Sequence, residues 1–98
     1  MGINICVFDS NFKELPDSEW DPLRHGHDRE FNHLLCTTDC VVHESHVNHH
    51  FDSNHEFIRP SDPDKLREII KGLNWEDYSR YDRLLTLCEQ GNYIYIEY

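Results

Sequence analysis

At 98 residues the chain has room for one hydrophobic core, because two could not both be closed in so short a length, and we expect a single acidic domain over residues 1–98. Nine Lys and Arg stand against 19 Asp and Glu, a formal net charge of −10, so a nucleic-acid backbone, which is bound through Lys and Arg by counterion release, is a poor partner. The apolar fraction of 38% is low but falls in periodic runs, which leaves material for a small core.

No run approaches the ~18 apolar residues of a membrane span, and the N-terminus lacks a basic region followed by an apolar stretch and a cleavage site. These features predict a cytoplasmic protein without membrane association. The four cysteines, Cys6, Cys36, Cys40 and Cys88, are then read as reduced thiols, with Cys6 and Cys88 buried in apolar runs.

Residues 3–8 are rich in β-branched and aromatic side chains and end at Asp9-Ser10-Asn11, the pattern of a buried strand and its turn. Residues 13–28 hold Pro16, Pro22 and Gly26 among charges, which prevents a long regular element and leaves Trp20 as the large apolar anchor of a loop. Phe31, Leu34 and Leu35 recur at i, i+3 and i+4, predicting a helix of about two turns with Asp28 as its cap. Residues 40–47 and 56–58 then read as a hairpin, with Asp52-Ser53-Asn54 supplying its turn.

Ser61-Asp62-Pro63-Asp64 opens a second helix whose apolar stripe is Leu66, Ile69, Ile70 and Leu73, closed by a left-handed Gly72. Asn74 is expected to start a third helix that buries Tyr78, Tyr81, Leu84, Leu85 and Cys88 and ends near Gly91. Residues 92–98 give a last strand with Ile94 and Ile96 on one face and Tyr93 and Tyr95 on the other. The order β-α-β-β-α-α-β predicts an α+β fold, a mixed or antiparallel sheet of about four strands with helices on one face. Its first and last strands, apolar on both faces, are both expected inside the sheet.

Three constellations carry candidate chemistry. Cys36 and Cys40 precede His43, His46, His49 and His50, ligand types that suit zinc. The spacing argues against it, because Thr37-Thr38-Asp39 contains no glycine knuckle and His43 and His46 point to opposite faces of a strand. The metalloprotease pattern also fails, since His46 arrives one residue too early after His43-Glu44. No cofactor is therefore expected, and a zinc domain is the alternative reading.

Residues 24–30 gather His25, His27 and Asp28 between arginines near a helix start, a set that could serve a small hydrolase. Sequence proximity is weak support for a catalytic geometry, and a chain of this size has little material to wall off a cleft, so the chain is read as non-enzymatic.

Aromatics accompany the carboxylates, and this pairing suits a basic protein, because Trp and Tyr anchor interfaces while an acidic field steers encounter. The candidate surface is Glu14, Asp17, Glu19, Trp20 and Asp21 in the long loop with Tyr93, Tyr95 and Tyr98 in the last strand. Trp75, Tyr78 and Tyr81 lie at helical spacing and read as core. The last strand is also open to pairing with its own copy, which would give a homodimer. In size, acidity and helix-on-sheet plan the chain is similar to toxin-neutralising immunity proteins and phage-encoded inhibitors of bacterial defence as classes, with no shared motif. The expected function is accordingly that of an inhibitor occluding a basic, nucleic-acid-processing protein.

Overall fold

The structure, a computed structural model, describes residues 3–24, 26–46 and 55–97, and of His46 the backbone alone. Its elements in chain order are β1 (Asn4–Phe8), α1 (Asp28–Thr37), β2 (Val41–His46), β3 (His55–Pro60), α2 (Pro63–Gly72), α3 (Tyr78–Glu89) and β4 (Tyr93–Glu97). These strands form an antiparallel sheet in the order β1-β4-β3-β2, so the α+β plan and the element order are as the sequence predicts. The hairpin turn expected at Asp52-Ser53-Asn54 lies outside the described residues.

Period-2 alternation divides the sheet into two different faces. Val7 pairs with Ile94 and Ile94 with Ile58, which sets an aliphatic row across three strands. Ile5 and Ile96 extend it, and Phe31 and Leu35 of α1, Leu66 and Ile70 of α2, and Tyr81, Leu84 and Leu85 of α3 close over it as the main core.

Among the described residues the opposite face has no helix against it, yet Phe57 there is 0% exposed. Rings bury it: Phe8, Phe12, Tyr93 and Tyr95 have centroids 5.0–6.1 Å from that of Phe57, mostly tilted or edge-on. Phe12 reaches this layer because the turn after β1 folds back. Asp9 Oδ1 accepts from the backbone of Asn11 and Lys13, and Phe12 takes a left-handed φ of 60°. That conformation is uncommon for a bulky residue, and the ring contacts of Phe12 offset its strain.

Of the two strands expected inside the sheet, β4 is there and β1 is not. β1 is an edge strand, and its apolar character on both faces comes from the segment that covers its free side. Leu15 N–H donates to Val7 O at 2.9 Å, Phe8 bridges Glu14, and the Trp20 indole N–H donates to Ile5 O at 2.8 Å. β4 lies between β1 and β3, so both of its edges are taken and the proposed dimer through this strand is closed off.

The helix ends also depart from local expectation. Asp62 caps α2 by accepting from Lys65 N–H at 3.1 Å, with Pro63 in the first turn where its missing N–H costs nothing. Gly72, however, is the last helical residue, and the left-handed position falls to Asn74 at φ 57°. Asn tolerates that region, and the reversal there delays α3 to Tyr78. Gly91, at φ 101°, ends α3 as expected, with Asn92 Nδ2 donating to Leu87 O at 2.7 Å. Arg67 fastens α2 to α3 through Asp82 at 2.8 Å and Glu89 at 2.5 Å.

The ring layer is a second, smaller core. Phe57→Ala should cost about 3–5 kcal/mol by urea unfolding, and Val42→Ala on the same face well under half of that. Equal, small effects of the two would show that the layer is only a surface decoration.

Candidate functional site

The start of α3 is built around a buried ion pair. Asp28 is 3% exposed and Arg80 8% exposed. Arg80 donates through Nε to Asp28 Oδ1 at 3.2 Å and through Nη2 to Oδ2 at 3.1 Å, a two-pronged contact. The Tyr81 hydroxyl donates to Asp28 Oδ1 at 2.8 Å, and Arg80 Nη1 donates to Asp21 O at 3.3 Å. The guanidinium also lies 4.2 Å over the Trp20 ring. Burial, then the contact with Asp28, pushes the Tyr81 hydroxyl well above the usual tyrosine range, so it remains a donor. Asp28 is thus a tertiary partner inside the first turn of α1. The cap position belongs to His27, whose side chain makes no capping hydrogen bond.

His27 is held by Asp77 instead. Its backbone N–H donates to Asp77 Oδ2 at 2.9 Å, its Nδ1 lies 2.5 Å from Asp77 Oδ1, and its ring stacks on Trp75 at 4.7 Å with planes 4° apart. Gly26 permits this approach, because a Cβ there would overlap the Asp77 carboxylate. Burial acts to raise the Asp77 carboxyl, but hydrogen bonds from the His27 ring and backbone outweigh it and hold it below the usual carboxylate range.

Between residues 17–24 and the start of α3 lies an open cleft of about 460 Å³. Trp20 and Arg80 are among its lining groups, with carboxylates of Asp17, Glu19, Asp21, Glu76 and Asp77 around them. Arg24 and Arg83 also line it, and Arg83 is engaged by Glu19 at 3.0 Å. The structure therefore gathers Asp17, Glu19 and Asp21, which the sequence nominated, with Glu76 and Asp77, which it did not. Their signal was hidden by the expectation that residues 74–77 were already helical.

The other nominated residues that the structure describes stand outside this carboxylate rim. Glu14 is exposed beside β1. Trp20 is only 4% exposed, so it is a core and edge-capping residue and offers no anchor to a partner. Its indole N–H needed an acceptor and found one on β1. Tyr93 and Tyr95 are half-buried in the ring layer, on the sheet face away from the helices, so they do not share a surface with the cleft. Tyr98 lies outside the described residues.

The metal and hydrolase candidates are described only in part. Cys40 is buried and Cys36 exposed. His43 Nδ1 lies 2.7 Å from Glu56 Oε1 and its Nε2 lies 3.3 Å from Leu35 O. His49, His50 and the side chain of His46 lie outside the described residues, and among those described no three His, Cys, Asp or Glu are grouped to hold a metal. His25 is likewise outside, while His27 and Asp28 have separate partners, Asp77 for one and Arg80 with Tyr81 for the other. Burial, then Glu14 and Glu97, pushes the Cys6 thiol up to about 12, and burial with Glu89 does the same for half-buried Cys88.

Among the described residues no helix is long and apolar enough to cross a membrane. No family model, curated protein or solved structure matches the chain.

Two outcomes test this geometry. Asp28→Ala, which strands a buried guanidinium, should cost about 3–5 kcal/mol by urea unfolding, and adding Arg80→Leu should recover part of the loss. A single-variant cost under about 1 kcal/mol would contradict the buried pair. The Asp77 carboxyl sits lower in the fold than in the unfolded chain, so its contribution is full above about pH 4 and is lost as pH falls through the folded value. Asp77→Asn should therefore flatten the acid limb of the stability–pH curve, measured by thermal unfolding.

Proposed function

We propose that this chain is a small acidic inhibitor, of the toxin-neutralising or anti-defence kind, that binds a basic, nucleic-acid-processing protein. It would cover that protein's nucleic-acid surface with carboxylates set where phosphates would lie. The supporting observation is how the charges are shared between ion pairs within the chain and carboxylates left outside them. Arg59, Lys65, Arg67, Arg80 and Arg83 each pair with a carboxylate of the chain itself, and Arg67 meets three. Asp17, Asp21 and Glu76, in contrast, line the cleft with no ion pair among the described residues.

A net charge of −10, with five of the nine cations paired to the chain's own carboxylates, presents a predominantly negative field to an approaching partner, which raises the rate of encounter with a basic surface. The cleft adds relief to that field. Side chains of a basic patch can enter between the 17–24 segment and α3, and the packed Trp20–Arg80 pair beneath keeps the walls apart.

A fluorescein-labelled oligo-arginine peptide provides the test by anisotropy. Binding at ~50 mM salt should weaken at least ~10-fold at ~500 mM, where screening shortens the reach of the field to a few ångströms. A variant carrying Asp17→Asn, Glu19→Gln, Asp21→Asn and Glu76→Gln should lose a similar factor at low salt. Binding indifferent to both salt and these substitutions would overturn the reading.

A further inference from the structure

Asp77 belongs to two groups of residues at once. It lines the acidic cleft, and both of its oxygens are held by His27, Oδ1 by the ring and Oδ2 by the backbone N–H. We propose that His27 regulates the cleft by its charge: protonated, it neutralises Asp77 and weakens the grip on a cationic ligand; neutral, it leaves the Asp77 charge to the cleft. This inference rests on the reading of the cleft as the site for a basic surface.

Geometry makes the coupling electrostatic rather than conformational. The ring is fixed on three sides, by its own backbone hydrogen bond to Asp77, by the near-parallel stack on Trp75, and by the close approach that Gly26 allows. Nδ1 can carry a proton in the neutral ring as well as in the charged one, so the contact with Oδ1 survives titration while its charge changes. A unit charge is therefore added or removed at hydrogen-bond distance from a cleft carboxylate, without the segment having to move.

The neighbouring ionisable groups do not duplicate this role. On α3, Arg80 is compensated by Asp28, and Tyr81 stays protonated. Glu76, Asp21 and Arg24 share the cleft with Asp77 and carry no imidazole. Arg29 and Glu30 follow on α1, and His33 shares a groove with Trp75 rather than with the cleft. His25 lies outside the described residues. His43 and His55 are engaged elsewhere, by Glu56 and by the Tyr95 hydroxyl.

The experiment measures oligo-arginine peptide affinity for the full chain at ~pH 8 and ~pH 5.5, at one ionic strength, across the range where histidine changes charge. Wild type, His27→Asn, which keeps a donor near Oδ1, and His33→Asn as control are compared. Acidification should weaken wild type and His33→Asn alike, and His27→Asn by ~3- to 5-fold less, the effect of one charge at a few ångströms in a well-solvated site. A fall as steep in His27→Asn as in wild type overturns the inference even if the peptide binds.

Should the peptide fail to bind wild type at all, the reading of the cleft falls, but the coupling is still measured in the free protein. The Asp77 carboxyl ¹³C shift must then step with the titration of the His27 ring, and a shift that ignores that titration overturns the inference. The same measurement serves if His27→Asn does not fold.

Discussion

Asp28 and Arg80 form an ion pair from which the candidate site hangs. Two charges removed from water cost several kcal/mol each unless geometry restores what solvation supplied. Here the restoration is close to complete: a two-pronged contact, a third hydrogen bond from Tyr81, a backbone acceptor at Asp21 and the face of Trp20. Through these groups a single node joins α1, α3 and the 16–24 segment, and through the Trp20 indole it reaches β1. The segment lacks helix or strand periodicity of its own, so this node, with the Glu19–Arg83 and His27–Asp77 contacts, gives it a defined course. Its carboxylates face outward because its tryptophan faces inward.

The same economy shapes the charge of the surface. A chain with 19 acidic side chains could have scattered its nine cations as surface partners. Several are drawn into contacts between elements instead, Arg67 between α2 and α3 and Arg59 across β2 and β3. Exposed pairs of this kind add little stability individually, but they leave the remaining surface more uniformly negative. A field of one sign carries information about a partner's charge and little about its identity.

Much of the architecture was legible because it is written in local patterns. The apolar stripe Leu66, Ile69, Ile70 and the Asp62-Pro63 opening specify α2, and the alternation of Ile94 and Ile96 with Tyr93 and Tyr95 specifies β4. What was illegible depends on partners distant in the chain. Asp28 before a helical stripe looks like a cap, and only Arg80, fifty-two residues on, makes it a buried ion. Trp20 among charges looks like an exposed anchor until Ile5 O claims its N–H. Strand order is likewise a long-range property: β1 reads as central because both faces are apolar, while the covering turn that permits this follows it in sequence. Glu76 and Asp77 were missed through a local competition, since Asn74 rather than Gly72 took the left-handed turn and moved the start of α3.

Trp20 locks the 16–24 segment to the body of the fold. Hydrogen exchange of the Trp20 indole N–H, followed by NMR under native conditions, tests this lock directly. A locked segment requires protection comparable to that of the β4 amides, because the bond to Ile5 O would open only with the fold as a whole. Exchange at the rate of an exposed indole, with β4 still protected, would mean that the segment detaches on its own, and the cleft would lose its defined wall.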